Sequence, residues 1–154
     1  MAVYFFDSSA LVKRYIQEIG SVWVQTICQH TRPEDLYIAR IAGAEVVSAI
    51  ARRGRAGHPS SQELTTVLDR FQQDFSAGYE IIEISPAIIA RAMDFARTRF
   101  LRGYDAVQLA VASGLHDLRQ VLVLPILTVV SADNDLNTAA TAAGLTVENP
   151  NNHP

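Results

Sequence analysis

The order of apolar runs predicts an α/β protein, a single-domain three-layer sandwich with a five-stranded parallel sheet and helices on both faces. Short apolar runs alternate along the chain with segments of helical periodicity, which is typical of a parallel sheet covered by helices. A chain of 154 residues has the size of one domain, and it can bury about two thirds of its unfolded surface. We assign residues 1–150 to this domain and expect the remaining tail, 151–154, to be frayed together with Pro150.

The first half of the chain predicts two strands and four helical segments. The strands are VYFF (3–6) and DLYIAR (35–40), and the helical segments are SALVKRYI (9–16), SVWVQTICQ (21–29), IAGAEVVSAIARR (41–53) and SSQELTTVLDRFQQDF (60–75). Gly54 and Gly57 are expected to end the third of these helices. Ser60 and Glu63 have the spacing of a capping pair at the start of the fourth.

The second half of the chain predicts three strands and three helices. The strands are YEIIEIS (79–85), ILTVVS (126–131) and LTVEN (145–149), and the helices are PAIIARAMDFARTRF (86–100), YDAVQLAVASGLHDL (104–118) and DLNTAATAAG (135–144). Pro86 suits the first turn of its helix. Gly144 is expected to close the last helix.

Composition and charge exclude several classes of protein. Hydrophobic residues make up 49% and charged residues 19% of the chain, without a low-complexity tract, an apolar run that could span a bilayer, or the pattern of a signal peptide at the start. We therefore expect a cytoplasmic protein with no membrane partner. The one cysteine, Cys28, cannot form an internal disulfide and is expected to be a packed, inert thiol. A net charge of −3 gives no broad basic field for nucleic acid.

Acidic residues follow or flank the predicted strands. Asp7 follows the first strand, Glu45 lies on the helix after the second, Asp105 begins the helix before the fourth, and Asp133 and Asp135 follow the fourth. Ligands of open α/β sheets bind outside the carboxyl ends of strands, where the strand order reverses. These acids are therefore expected to face one site.

Helix capping is an alternative explanation for three of these acids. Asp7, Asp105 and Asp133 each precede a helix, where a carboxylate accepts backbone N–H bonds. Ser8 or Ser9 could cap the first helix instead and release Asp7 for other work. Glu45 lies inside its helix among small and apolar neighbours, so it is either near an edge of the surface or buried with a partner.

A hard cation is one way to hold several carboxylates in a small volume. All-oxygen ligands favour Mg²⁺ or Mn²⁺ over Zn²⁺. The four histidines do not have the spacing of a zinc site, and we expect them to be structural or solvent-facing: His30, His58, His116 and His153.

Four stretches, in this order, resemble the acidic motifs of PIN-domain ribonucleases. They are VYFFDSSALVKRY, AEVVSAI, LRGYDAVQLAVA and LTVVSADNDL. The likeness runs from Val3 to about Pro150 and is strongest to the VapC toxins of toxin-antitoxin pairs.

The resemblance implies a metal held by Asp7, Glu45, Asp105 and Asp133, which are also the expected catalytic residues. Asp135 takes a supporting place as a further metal ligand, and Ser8, Ser9 and Ser131 support the site. The implied reaction is hydrolysis of RNA by water activated by Mg²⁺ or Mn²⁺, leaving 5′-phosphate and 3′-hydroxyl ends. The implied partners are RNA, a VapB-type antitoxin and a second copy of the chain.

Arginines near the acids are candidate phosphate contacts. Without the five acids the net charge would be +2, so the rest of the surface need not repel RNA. The candidates are Arg52, Arg53 and Arg55 on one helix and Arg97, Arg99 and Arg102 near another. Solvated helix ends, where arginine is favourable at the C-terminus, are the alternative explanation.

Two other functions remain open on the sequence alone. A catalytically inactive PIN-like binding module has acids that only cap helices. An aspartate-nucleophile phosphohydrolase also has an aspartate after its first strand, but its second acid, two residues later, is replaced here by Ser9.

Overall fold

A five-stranded parallel sheet forms the middle layer of the protein. The computed structural model describes residues 2–56 and 60–154. The strands are β1 (Val3–Phe6), β2 (Leu36–Ala39), β3 (Glu80–Ile82), β4 (Leu127–Val130) and β5 (Thr146–Glu148), in the order β3-β2-β1-β4-β5. All four pairings are parallel. The predicted fold class is confirmed.

Seven α-helices in the described ranges connect and cover the strands. They are α1 (Ser8–Leu11), α2 (Ser21–His30), α3 (Ala42–Arg55), α4 (Ser61–Ala77), α5 (Pro86–Arg99), α6 (Gly103–Val121) and α7 (Asn134–Ala142), with 3₁₀ turns at Val12–Arg14, Pro33–Asp35 and Pro150–Asn152. Within the described ranges, none of the helices combines the length and the apolar character needed to cross a membrane.

The two faces of the sheet bury two separate cores. Successive side chains of a strand point to opposite faces, so Phe5 packs with α5, α6 and α7, and Phe6 packs with α1 to α4. Both rings are fully buried. Each burial stabilises the fold by about 2 to 3 kcal/mol, and together they fix β1 as the centre of a three-layer structure.

The strand order reverses beside β1. The chain runs outward from β1 to β2 and β3, and then returns to place β4 and β5 on the other side of β1. The carboxyl ends of β1 and β4 are therefore the topological switch point. The Asp7 N–H donates to the Val130 carbonyl at 3.1 Å and ties the two strand ends together.

Most of the predicted helix boundaries are confirmed. Ser60 and Glu63 form a reciprocal capping box at the start of α4. Pro86 occupies the first turn of α5, after the cap residue Ser85. Gly144 has the positive φ of +84° that follows a closed helix.

The prediction that Gly54 ends its helix is wrong. Helix α3 continues through Gly54 to Arg55. A Cβ atom at Gly54 would lie 2.6 Å from Cδ2 of Leu64 on α4. This glycine therefore allows the two helices to approach, and it does not stop α3. Gly57 and His58 lie outside the described residues.

The prediction of a frayed tail is also wrong. Pro150 is buried and begins a 3₁₀ turn. The His153 ring stacks on Trp23 with ring centroids 4.2 Å apart, and His153 Nε2 lies 3.1 Å from Oε2 of Glu148. Contacts with α2, distant in sequence, hold the tail in place.

A buried polar cluster joins the first helical segments to α4 and β3. The Tyr15 hydroxyl donates to Asp74 at 2.8 Å, and Arg14 donates to the Tyr79 hydroxyl at 2.6 Å. Burial raises the pKa of the nearby Cys28 thiol to about 11. The thiol is therefore protonated at neutral pH, as expected of a packed and inert cysteine.

We predict that Gly20→Ala destabilises the protein more than Gly144→Ala. Both glycines have positive φ, +83° and +84°, so alanine costs about 1 kcal/mol at either position from backbone strain. At Gly20 the new Cβ would also lie 2.3 Å from the Pro150 carbonyl oxygen, whereas the space at Gly144 is open. Urea unfolding should show at least about 1 kcal/mol of extra loss for Gly20→Ala.

Removing residues 150–154 is the control for this comparison. In the shortened chain the two alanine variants should lose similar amounts of unfolding free energy relative to their own parent. Equal losses in the full-length chain would contradict the tight contact between Gly20 and Pro150.

Candidate metal centre

One open cavity at the switch point contains all four predicted principal acids. Its volume is about 610 Å³. The lining residues are Asp7, Ser8, Ser9, Val12, Ala44, Glu45, Ser48, Ala49, Arg52, Arg102, Tyr104, Asp105 and Asp133. The acids come from four separate segments of the chain, so the fold alone brings them together.

Asp7 is the most buried of these acids, with 2% of its surface exposed. Its Oδ1 accepts from the Ala10 N–H at 3.0 Å and from the Ser9 hydroxyl at 2.8 Å. Burial raises the pKa of the carboxyl from 3.8 to about 7, although these hydrogen bonds oppose the shift. A carboxyl with that pKa is only partly charged at neutral pH unless a cation is near.

Asp7 itself caps α1, so the expectation that Ser8 or Ser9 could replace it is wrong. Its side chain accepts from the backbone of Ala10. The Ser9 hydroxyl points at Asp7 and also accepts from the Ala132 N–H at 2.9 Å. Asp7 therefore both caps α1 and lines the cavity.

Two serines join the loops that follow β1 and β4. Ser9 Oγ and Ser131 Oγ are 3.5 Å apart, and Ser131 Oγ accepts from the Asp133 N–H at 3.1 Å. These contacts hold the backbone of the Asp7 loop against the backbone of the Asp133 loop. Ser8 instead lines the cavity, where its hydroxyl opposes the rise in the pKa of Glu45.

Glu45 projects into the cavity from the first turn of α3. Its Oε2 accepts from Nε2 of Gln108 on α6 at 2.6 Å. Burial raises the pKa of Glu45, and the negative charge of Asp105 adds to the shift. The carboxylate is therefore half-buried and has a buried partner, as its apolar neighbours in the helix predict.

Arg102 bridges the other two acids. Its Nε donates to Oδ2 of Asp105 at 3.1 Å, and its Nη2 donates to Oδ2 of Asp133 at 3.2 Å. Asp133 also caps α7 through the Leu136 N–H, whereas Asp105 lies inside the first turn of α6 without capping it. Burial and the charge of Asp133 raise the pKa of Asp105.

The remaining predicted residues divide between the cavity and its surroundings. Asp135 is not a lining residue, but its negative charge contributes to raising the pKa of Asp105. Of the six arginines, Arg52 and Arg102 line the cavity, whereas Arg53 contacts Glu18 at 2.5 Å and Arg97 contacts Asp94 at 2.8 Å. Arg55 and Arg99 are also outside the lining residues.

The three described histidines are not among the lining residues of the cavity. His30 bonds the Thr26 carbonyl within its own helix, His116 lies on α6, and His153 stacks on Trp23. His58 is outside the described residues.

The chemistry of the donor set fits a hard divalent cation. The cavity offers carboxylate oxygens of four acids without histidine or cysteine, which is the set that Mg²⁺ and Mn²⁺ prefer. Within residues 2–56 and 60–154, no three His, Cys, Asp or Glu side chains already converge as a finished metal centre. Arg102 contacts one oxygen, Oδ2, of each of Asp105 and Asp133, and a bound cation would compete with the arginine for these oxygens.

Two lining or supporting residues were missed by the sequence reasoning. Gln108 contacts Glu45, and Tyr104 lines the cavity with 60% of its surface exposed. Gln108 is three residues after Asp105 on a helix, a spacing that places both on one face. A polar glutamine in an otherwise apolar stretch of sequence was therefore the signal that could have identified Gln108.

Comparison with known proteins identifies the family. The model of the PIN domain matches residues 4–142. The chain belongs to the PIN-domain family. Its predicted resemblance to VapC proteins is confirmed, since it is 33% identical over 147 residues to Ribonuclease VapC45 and to Ribonuclease VapC49 of Mycobacterium tuberculosis, covering 96% of this chain and 95% of each relative.

Solved structures agree on the PIN fold. PAE2754 from Pyrobaculum aerophilum superposes with a TM-score of 0.66 at 17% identity, covering 99% of this chain and 86% of that chain. A toxin-antitoxin complex from Klebsiella pneumoniae contains a chain that superposes with a TM-score of 0.60 at 18% identity, covering 96% of this chain and 97% of that one.

We predict that Asp7→Asn makes the metal-free protein more stable at pH 8 than at pH 4.5, relative to the parent. The raised pKa of Asp7 means that the folded state favours the protonated acid, so its contribution is present below about pH 4 and is lost as pH rises to about 7. Asparagine remains neutral throughout. The gap in unfolding free energy between variant and parent should grow by up to about 4 kcal/mol across this window.

Urea unfolding in EDTA at pH 4.5 and at pH 8 measures this change in the free energy of unfolding. Asp94→Asn is the control, because Asp94 is an exposed acid outside the cavity. Its curve should run parallel to that of the parent. A pH-independent gap for Asp7→Asn would show that the charge of Asp7 is not destabilising.

Proposed function

We propose that this PIN-domain protein is a metal-dependent endoribonuclease that hydrolyses RNA phosphodiester bonds with water as the nucleophile. The observation that carries the proposal is the convergence of Asp7, Glu45, Asp105 and Asp133 on one open cavity at the switch point of the sheet. The name ribonuclease on both VapC relatives supports the choice of RNA.

The four cavity acids are the proposed ligands of Mg²⁺ or Mn²⁺, with Asp135 in a supporting place. A bound divalent cation supplies Lewis acidity, which makes water nucleophilic at neutral pH and offsets the negative charge that develops on the phosphate. Asp7 supplies a fixed oxygen, because Ser9 and Ala10 hold its carboxylate. Glu45, Asp105 and Asp133 would supply further oxygens from α3, from α6 and from the cap of α7.

Cationic and aromatic side chains of the same cavity suit a polynucleotide substrate. Arg52 and Arg102 line the wall beside the acids, where a guanidinium can contact phosphate oxygens. Tyr104 exposes its ring in the same cavity, and exposed aromatic rings stack with unpaired bases. Arg53, Arg55 and Arg99 remain proposed contacts for more distant phosphates.

We also propose that the protein is the toxin of a toxin-antitoxin pair and acts in the cytoplasm as a homodimer. Its VapC relatives and the toxin-antitoxin complex with the same fold support a cognate partner of the VapB type. Such a partner silences the enzyme by covering the acidic cavity, so it should carry a basic group that pairs with the carboxylates.

We predict that millimolar Mg²⁺ or Mn²⁺ raises the melting temperature and supports cleavage of RNA to 5′-phosphate and 3′-hydroxyl ends. A cation that binds only the folded acids stabilises the fold. Asp7→Asn and Glu45→Gln should each abolish detectable cleavage, which means a fall in kcat/KM of at least about a hundredfold, and should reduce the thermal shift. Circular dichroism should show an unchanged fold.

Asp94→Asn is the matched control, since it removes one negative charge outside the cavity. This variant should cut RNA and bind metal as the parent does. Cleavage at the parental rate by both cavity variants would overturn the nuclease proposal.

We predict that induced expression arrests growth and that co-expression of the cognate antitoxin relieves the arrest. Arrest requires the intact acids if it comes from RNA cleavage, so expression of Asp7→Asn should be harmless. Colony counts and mapping of RNA ends measure both effects. Arrest that persists with Asp7→Asn would argue for a toxic binding module instead of an enzyme.

A further inference from the structure

Gln108 is a buried polar residue on the apolar side of α6. Only 1% of its surface is exposed. Its Nε2 donates to Oε2 of Glu45 at 2.6 Å, while its Oε1 has no hydrogen-bond partner among the described residues. The amide nitrogen of Gln108 therefore makes a short hydrogen bond, whereas its amide oxygen makes none among the described residues.

The fold does not need a glutamine at this position. A buried acceptor without a partner costs about 1 to 3 kcal/mol, and the surrounding part of α6 is apolar, with Leu109, Ala110, Val111 and Ala112 all buried. A methionine or leucine of similar volume would fill the same space without that cost. The benefit that offsets it has to come from the contact with Glu45.

The contact between Gln108 and Glu45 connects the helical layers on the two faces of the sheet. Glu45 lies on α3, whose buried side chains pack on one face of the sheet, and Gln108 lies on α6, which packs on the other face. Asp105 is one helical turn before Gln108. The amide therefore fixes the Glu45 carboxylate relative to Asp105 as well as to α6.

We infer that Gln108 is a positioning residue that holds Glu45 and Asp105 at a separation at which one divalent cation can bind both. This inference rests on the proposed function. A charged carboxylate only accepts hydrogen bonds, so an amide N–H can orient Glu45 and lower the cost of its charge without competing for the cation. A lysine or arginine at this position would instead neutralise the site.

Gln108→Met tests the inference, with Gln120→Met as the control on the exposed side of the same helix. In EDTA the melting temperature of Gln108→Met should stay close to that of the parent, because the unsatisfied Oε1 and the hydrogen bond to the half-buried Glu45 are lost together. Isothermal titration calorimetry should show about a tenfold weaker Mn²⁺ affinity, as expected for a lost hydrogen bond to a charged group. Gln120→Met should change neither quantity.

A double-mutant cycle shows whether Gln108 acts through Glu45. Adding Gln108→Met to Glu45→Gln should weaken Mn²⁺ binding by less than twofold beyond Glu45→Gln alone, because the group that the amide orients has been neutralised. Independent, additive losses would overturn the inference.

The other outcomes are equally decisive. Loss of stability in EDTA for both Gln108→Met and Gln108→Leu would show that the amide has a structural role. Parental Mn²⁺ affinity in a stable Gln108→Met overturns the positioning role while leaving the proposed nuclease intact. Failure of the parent protein itself to bind Mn²⁺ overturns the proposed metal site and this inference together.

Discussion

The organisation of the candidate site depends on one buried acidic group, the carboxyl group of Asp7 at the end of the central strand. Asp7 follows the central strand, and its carboxylate is almost entirely removed from water. Isolation of a charge at that depth is costly, and the Ser9 hydroxyl and the Ala10 N–H offset only part of the cost, as the raised pKa shows. The same two hydrogen bonds also hold the carboxylate of Asp7 in one orientation.

The second constraint is repulsion between acids that belong to different layers. Glu45 comes from a helix on one face of the sheet and Asp105 from a helix on the other. The charge of Asp105 raises the pKa of Glu45, and the charge of Glu45 raises the pKa of Asp7. The hydrogen bond from Gln108 to Glu45 spans the gap between these two layers, and the proposed cation would link them a second time. The contact between Glu45 and Gln108 therefore joins α3 and α6, which pack on opposite faces of the sheet.

Local and periodic features were predictable from the sequence, and contacts between distant residues were not. The capping box of Ser60 and the position of Asp7 after a strand need only neighbouring residues. The docking of His153 on Trp23 and the role of Gly54 as a contact for Leu64 depend on which elements meet in space. The four acids were identifiable because their motifs resemble a known family, whereas the bridge from Arg102 to Asp105 and Asp133 depends on side-chain geometry that no motif encodes.

The contacts of the four cavity acids differ in how much free energy is needed to break them. Asp7 and Gln108 are buried, so their hydrogen bonds exist in a medium where loss of a partner leaves an unsolvated group. Arg102 has a side chain that is 81% exposed, and an ion pair at such exposure contributes at most about 1 kcal/mol because water solvates both partners when they separate. Separation of Arg102 from Asp105 and Asp133 is therefore cheap, while the bonds that orient Asp7 and Glu45 are expensive to break. The cavity therefore contains two acids, Asp7 and Glu45, that accept hydrogen bonds from buried residues, and two acids, Asp105 and Asp133, that share the exposed partner Arg102.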